Sequence, residues 1–512
     1  MSSNFDRSSV LKGAVLVTLS TYINYASGLV ASILVARALG SHDYGQYAYF
    51  VWLAGTLTSL YCGGVTFSAM RFVADELGSG NVEGARRVQA LLRRWFVVAV
   101  ILVSVAYAAA SRWLLPADWH QPIALFVTLV LVAAATKAAY LFGASISKGH
   151  GRFDIDANTT NLMSLVNIAG VVALVVFHGT LNAYLIFFVA LCVGHALLVR
   201  RLMRRANIAP SRAELDPELK SRIAKHCLWS ALLFVVAAFS NKSFENVLLN
   251  WYIGPEAVAW FAIAAAMSRG GTDMLAAGLS SVLMPVMSHA FGSKDRERAY
   301  RIFSDAVRYY FFLGLLLSGI GYLWAEPVIL VLYGEQYQPA VLGLQVMMLV
   351  GGLTLFDGAA ASILTTTDNQ SARVVIAVVT LVLTCATAVI LIPRYGFVGA
   401  LITHSVSRIT YFAASVGAAV WLLDCRLPLQ ELLRAVIAAL VGVVIAVLVL
   451  AFWSGDVAEV VAGALYVVGA LAGSVLFRVW TKNDLKLVAV AADRFPALRK
   501  LEVWLSTHTR AR

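Results

Sequence analysis

AVIAALVGVVIAVLVLAFW, residues 435–453, is nineteen residues long and contains no acidic, basic or amide side chain. A helix needs about 20 apolar residues to cross the roughly 30 Å of a bilayer's hydrocarbon. A run without polar alternation is no barrel strand, because the two faces of such a strand meet different surroundings. The stretch therefore predicts a membrane-spanning helix over 432–453, and the same pattern recurs outward from it. Further spans are predicted at 11–36, 44–67, 95–115, 122–146, 159–177, 181–199, 227–251, 257–287, 305–332, 340–365, 373–393, 397–421 and 457–480. The fourteen spans leave no room for a soluble domain of ordinary size. Composition agrees: of 512 residues, 60% are hydrophobic and 13% charged, with a mean hydropathy of +0.78. A water-soluble domain does not carry that much apolar surface.

The net charge of +12 is informative through its placement. With the N-terminus inside, 33 of the 40 basic residues fall in inner segments. The densest is the loop after the sixth span, with Arg200, Arg201, Arg204, Arg205, Arg212, Lys220, Arg222 and Lys225. Only Arg37, Arg112 and Arg394 fall outside. This bias predicts cytoplasmic termini and an even number of spans. The basic residues are read as orientation signals and anionic-lipid contacts, not as a nucleic-acid surface. The run after Lys12 is long enough to span, which predicts a retained first helix rather than a signal peptide. Cys62, Cys192, Cys227, Cys385 and Cys425 are scattered and form no CxxC pair, so neither a disulfide framework nor a zinc site is expected.

A gapless offset of 214 residues aligns the chain with itself. Gly40 falls on Gly254, Tyr47 on Phe261, Gly64 on Gly278, Met70 on Met284, Arg87 on Arg301 and Arg94 on Arg308. Two halves of six spans follow. Because six is even, both halves enter the membrane in the same direction, which is the parallel-repeat plan of rocking transporters. The expected organisation is an N-lobe over 1–200, a linker over 201–226 and a C-lobe over 227–425. Two extra helices follow over 426–481, then an interfacial tail over 482–512. The fold class expected is an all-α polytopic membrane protein of about fourteen helices, with two parallel six-helix lobes around a central cavity.

Particular motifs sit at these positions: Ala36-Arg37-Ala38-Leu39-Gly40 with Asp43-Tyr44-Gly45-Gln46-Tyr47, and Ile253-Gly254-Pro255-Glu256-Ala257 running on to Trp260-Phe261. Met284-Pro285, Ile392-Pro393-Arg394-Tyr395-Gly396 and Gly399-Ala400 follow in order. Over roughly residues 10 to 425 the chain resembles the Wzx-type polysaccharide and O-antigen flippases of the multidrug/oligosaccharidyl-lipid/polysaccharide exporter superfamily. It departs from their pattern where Glu245 stands for an aspartate and Phe261 for a tyrosine. The resemblance implies a flippase of the bacterial inner membrane. Its cargo would be a polyprenyl-diphosphate-linked oligosaccharide, and its partners a polysaccharide polymerase and chain-length proteins.

A charge at the bilayer centre costs about 2.5–3.5 kcal/mol on insertion scales, so each one needs a partner or an aqueous cavity. Lys137, Lys242, Arg269 and Arg408 fall within spans, as do Glu245, Asp273 and Asp357, with Asp75 near an end. Lys242 with Glu245 (i, i+3) and Arg269 with Asp273 (i, i+4) have the spacing for local pairs. Lys137 and Arg408 have no acid within one turn, which makes them the leading candidates for holding a diphosphate, with Lys242 and Arg269 beside them. Asp357, among Gly351, Gly352 and Gly358, together with Glu245 and Asp273, is a candidate for proton or sodium coupling. Asn24, Tyr22, Tyr25, Asn167, Asn241, Asn246, Tyr140, His195 and His404 are candidate partners for sugar hydroxyls. No cofactor or metal is expected, and no phosphate-cradling loop is present in the sequence.

Two other transporter readings remain: a multidrug or metabolite exporter of the same superfamily, and a major-facilitator-type carrier. The second lacks its tight Gly-x-x-x-Asp-Arg-x-Gly-Arg-Arg run here, although Ala74-Asp75-Glu76-Leu77-Gly78 and Arg86-Arg87 are reminiscent of it. A membrane enzyme would need a large extramembrane loop bearing acids or histidines, and the predicted outer loops are short.

Overall fold

The computed structural model describes residues 7–211, 215–241, 244–276, 283, 287, 296–367, 370–423 and 426–480. Lys242, Met284-Pro285 and the tail over 482–512 lie outside the described residues. Sixteen α-helices are described: α1 (Arg7–Cys62), α2 (Val65–Gly78), α3 (Val82–Ala110), α4 (Ile123–Gly149), α5 (Phe153–Val176), α6 (Leu181–Arg205), α7 (Pro217–Asn241) and α8 (Glu245–Tyr252), then α9 (Pro255–Ser268), α10 (Arg296–Leu323), α11 (Ala325–Tyr333), α12 (Pro339–Leu353), α13 (Asp357–Thr366), α14 (Gln370–Leu423), α15 (Leu429–Phe452) and α16 (Asp456–Leu476).

Among the described residues nine helices are long and apolar enough to cross a membrane, or ten if the bent pair α12–α13 counts as one. Two of the nine are double-length. The apolar stretches Leu16–Cys62 and Ser371–Leu423 run 47 and 53 residues. At about 1.5 Å per residue each exceeds twice the hydrocarbon thickness. Each is interrupted by one glycine at positive φ, Gly40 (79°) and Gly396 (58°). The predicted connections at 37–43 and 394–396 thus shrink to breaks inside helices. Gly254, the repeat partner of Gly40, also has a positive φ (120°). The chain is an integral multi-pass membrane protein, and this arrangement is compatible with fourteen spans.

The backbone groups into two compact units. The first comprises residues 1–262 and 381–400, the second 263–380 and 401–512. In the first, α1 packs on α5, α4 on α6, α2 on α3, and α7 against α1 and α2. In lipid there is little hydrophobic drive between helices, so close approach and interhelical hydrogen bonds hold them. Two such groups tie α7 and α8 to earlier helices. Ser68 Oγ lies 2.8 Å from His226 Nδ1, and the Cys227 thiol donates to the same hydroxyl at 3.1 Å. Some 24 residues further on, Asn250, 1% exposed, grips the backbone after α3 with both ends of its amide. Ala117 N donates to Asn250 Oδ1 at 2.7 Å, and Asn250 Nδ2 donates to Leu115 O at 2.8 Å. Gln46 Nε2 donates to Ala117 O at 3.1 Å from another side.

In the second unit α10 packs on α12, and α15 on α16. The α15–α16 pair depends on small residues. A Cβ on Gly442 would overlap the Tyr466 carbonyl, and one on Gly473 would stand 2.8 Å from Ala438 O. Tyr466 Oη donates to Leu315 O at 2.7 Å, pinning α16 to α10.

Candidate functional site

In the first unit the polar centre is built by α4, α5 and α6. Lys137 lies near the middle of α4, with its Nζ 5.0 Å from the centroid of the Tyr140 ring. The i, i+3 spacing puts both on one helix face. The Tyr140 hydroxyl donates to Asp156 Oδ1 on α5 at 2.6 Å. Its single proton is thereby used, so the Thr160 hydroxyl, 2.9 Å away, must donate to it. Lys148 Nζ occupies the other carboxylate oxygen at 2.7 Å. The His195 ring of α6 is 4.9 Å from Tyr140, and its Nδ1 donates to Leu191 O at 2.9 Å. Asp156 is within electrostatic range of Lys137 but makes its direct contacts with Tyr140 and Lys148. Among the described residues no carboxylate comes within ion-pair distance of Lys137. A cation–π contact is worth roughly 0.5–2 kcal/mol, against about 2.5–3.5 kcal/mol for a central charge. The ring does not offset the whole cost, so Lys137 keeps capacity for an anion.

In the second unit residues Arg269–Asp273 form a π-helical turn after α9. The sequence spacing predicts an ion pair between Arg269 and Asp273, and the structure corrects this. The π turn, with i→i+5 in place of i→i+4 backbone bonds, is a local irregularity in which Arg269 does not close on Asp273. Arg269 Nε donates instead to Ala265 O at 3.4 Å. Asp273 pairs with Arg408 of α14, whose Nη2 donates to Asp273 Oδ1 at 2.5 Å. Arg408 Nε also reaches Thr354 Oγ1 at 3.4 Å, a hydroxyl that itself donates to Val350 O. Thr354 sits in the bend, 46°, between α12 and α13. The predicted tenth span is therefore broken, and Asp357 is the first residue of α13 rather than a mid-helix group. Asp357 is within electrostatic range of Arg408 and Asp273, and His404 of Arg408, Asp273 and Arg269.

The family model for "Polysaccharide biosynthesis protein" matches residues 10–291, more than half of the chain. The protein belongs to that family. No curated protein matches it. Among solved structures, the chain is similar to the lipid II flippase MurJ in an inward closed conformation. The TM-score is 0.72 at 14% identity, over 90% of this chain and 98% of that one. It is also similar to an inward-facing MATE family multidrug resistance transporter of the MOP superfamily (0.62, 16%, 78% and 93%). A Vibrio cholerae MATE transporter follows (0.55, 15%, 82% and 98%). The fold is shared with these proteins.

In the second unit Arg408, Asp273 and Asp357 come together, with Arg269 in the same π turn as Asp273. Lys137 belongs to the other unit. Glu245 is the first residue of α8, 3% exposed, and its expected partner Lys242 lies outside the described residues. Among the described residues no group of three His, Cys, Asp or Glu side chains could hold a metal ion. Sequence reasoning overlooks Asp156, Lys148 and Thr354. Lys148 reads as an orientation signal. The available clue to Asp156 is a carboxylate placed in the first turn of an apolar span.

Proposed function

We propose that the protein is an inner-membrane flippase with both termini cytoplasmic. It carries a polyprenyl-diphosphate-linked oligosaccharide to the outer leaflet for surface polysaccharides such as O-antigen or exopolysaccharide. The observation that carries this reading is Lys137, a cation in mid-helix over an aromatic ring with no carboxylate at pairing distance among the described residues. A diphosphate supplies the missing charge, and charge-assisted contacts to it replace its hydration while the polyprenyl tail stays in lipid.

On this reading Arg408 exchanges Asp273 for the headgroup, with Arg269 and Lys242 assisting. The lobes 1–200 and 227–425 rock to expose the headgroup outward. Asp357, Asp273 and Glu245 are the groups through which a proton or sodium gradient resets the cycle. A polymerase and a chain-length protein then receive the product. The family membership and the flippase-like fold both support the assignment.

The test is headgroup translocation in vesicles that contain the purified protein and a fluorescent polyprenyl-diphosphate oligosaccharide. Lys137→Ala and Arg408→Ala should each slow flipping about tenfold or more, the equivalent of roughly 1.4 kcal/mol or above. Normal flipping in both variants sinks the site assignment. Export of amphiphilic cations by the wild type, with no flipping, favours the multidrug-exporter reading.

A further inference from the structure

The C-terminal end of α6 reads Leu197-Leu198-Val199-Arg200-Arg201-Leu202-Met203-Arg204-Arg205. Arg200 with Arg204 and Arg201 with Arg205 are i, i+4 neighbours, and Arg201 with Arg204 is an i, i+3 pair. Like charges at these spacings repel. The four side chains and Leu197 line one cavity of about 400 Å³. All but Arg201's neighbours Leu202 and Met203 in this last turn and a half are exposed or basic. No ion pair or side-chain hydrogen bond engages any of the four arginines among the described residues.

The adjoining cavity, about 210 Å³, supplies a contrast. It is lined by Arg152, Asp154, Ile155, Asn158, Leu202, Arg205 and Ala206. There Arg152 is neutralised by a two-pronged pair, Nε to Asp154 Oδ1 and Nη2 to Asp154 Oδ2, both at 2.8 Å. That carboxylate is committed to Arg152. No carboxylate lies within ion-pair distance of the α6 cluster among the described residues. The helix C-terminus favours cations, but that effect is screened and fades within one turn, so it does not balance four of them.

The larger cavity has one apolar wall, Leu197. Leu197 is 61% exposed, one turn before Arg201, and Ile186 on the same helix is 55% exposed. A free phosphate has no use for such a wall. A phospholipid has, because its acyl chains lie against it while its phosphate sits at the helix end. We infer that Arg200, Arg201, Arg204 and Arg205 form a headgroup site for an anionic phospholipid, whose chains run past Leu197 along α6. Guanidinium forks suit this task, since each can donate two parallel hydrogen bonds to a phosphate. None of these four residues is among those assigned to the transport path, and the test does not require flipping.

The experiment follows the melting temperature of the full-length protein in a neutral detergent. The titrants are phosphatidylglycerol, phosphatidylcholine and inorganic phosphate. Phosphatidylglycerol should raise the melting temperature saturably, and the other two should not. The Arg200→Gln/Arg201→Gln and Arg204→Gln/Arg205→Gln variants keep good helix formers in place. Each should need about tenfold more phosphatidylglycerol for the same shift. Arg93→Gln/Arg94→Gln on α3, outside the cavity, should respond as wild type. Native mass spectrometry of Arg201→Gln alone, counting retained phosphatidylglycerol, covers the case in which a double variant does not fold; fewer bound lipids are expected. An undiminished response or lipid count in the α6 variants overturns the site. So does an equal shift with phosphatidylcholine, and so does phosphate reproducing the effect of the lipid.

Discussion

Asp273 accepts its hydrogen bond from Arg408, 135 residues away, although Arg269 stands four residues before it. With Asp273 40% and Arg408 24% exposed, solvent weakens the attraction. Removing one partner still leaves the other as a partly buried charge without its ion-pair partner. Asp273→Asn is expected to destabilise the protein by about 1–3 kcal/mol, seen as a lower melting temperature in detergent. The exchanged pair Asp273→Arg/Arg408→Asp should recover part of that loss. A double variant no more stable than the sum of the two single changes contradicts a direct pair.

Tyr140 performs two jobs that can be separated. Tyr140→Phe keeps the ring under Lys137 but loses the hydroxyl that Asp156 and Thr160 share. It should lose roughly 1–2 kcal/mol of stability and retain headgroup binding. Tyr140→Leu removes the ring as well and should also weaken binding of the lipid-linked diphosphate, by roughly threefold or more. Equal binding by both variants would show that the ring contributes nothing to holding the cation.

Asn250→Ala frees the Ala117 amide, which now donates to the asparagine side chain. The two lost bonds are together worth about 1–3 kcal/mol. Backbone hydrogen exchange over 114–118 should therefore accelerate about tenfold or more, while the 82–94 stretch of α3 stays unchanged. Unchanged exchange at 114–118 contradicts the idea that Asn250 restrains this loop.

Gly442→Ala places a methyl group against the Tyr466 carbonyl. Backbone cannot give way as a side-chain tip does, so α15 and α16 must separate, at a cost of about 1–3 kcal/mol. Melting temperature should fall, and flipping per folded molecule should stay at the wild-type rate if these helices are peripheral. A large fall in that rate ties the pair to transport.

The membrane fold can be read from the chain because its determinants are one-dimensional. Apolar length, as at 435–453, and the segregation of arginines need no tertiary information. The 214-residue offset adds Gly40 and Gly254, both at a positive φ that side chains rarely adopt. The candidate site is less legible. Lys137 is singled out by its lack of an acid in sequence reach, and the structure keeps it without one at pairing distance among the described residues. Arg408 has the same signature yet finds Asp273, because spacing does not reveal which distant helix lies alongside. The bend at Thr354 is equally hidden, since Gly351-Gly352-Leu353 is compatible with a straight helix or a broken one. Asp156 escapes notice because its value lies in Tyr140 and Lys148, both on another helix.

Asn250 reads its loop only through the peptide groups of Leu115 and Ala117, never through a side chain. Substitutions that change the character of 114–118 can therefore accumulate without undoing the attachment, provided the backbone path survives. What holds this stretch of backbone is thus the asparagine amide, indifferent to the side chains that the stretch displays.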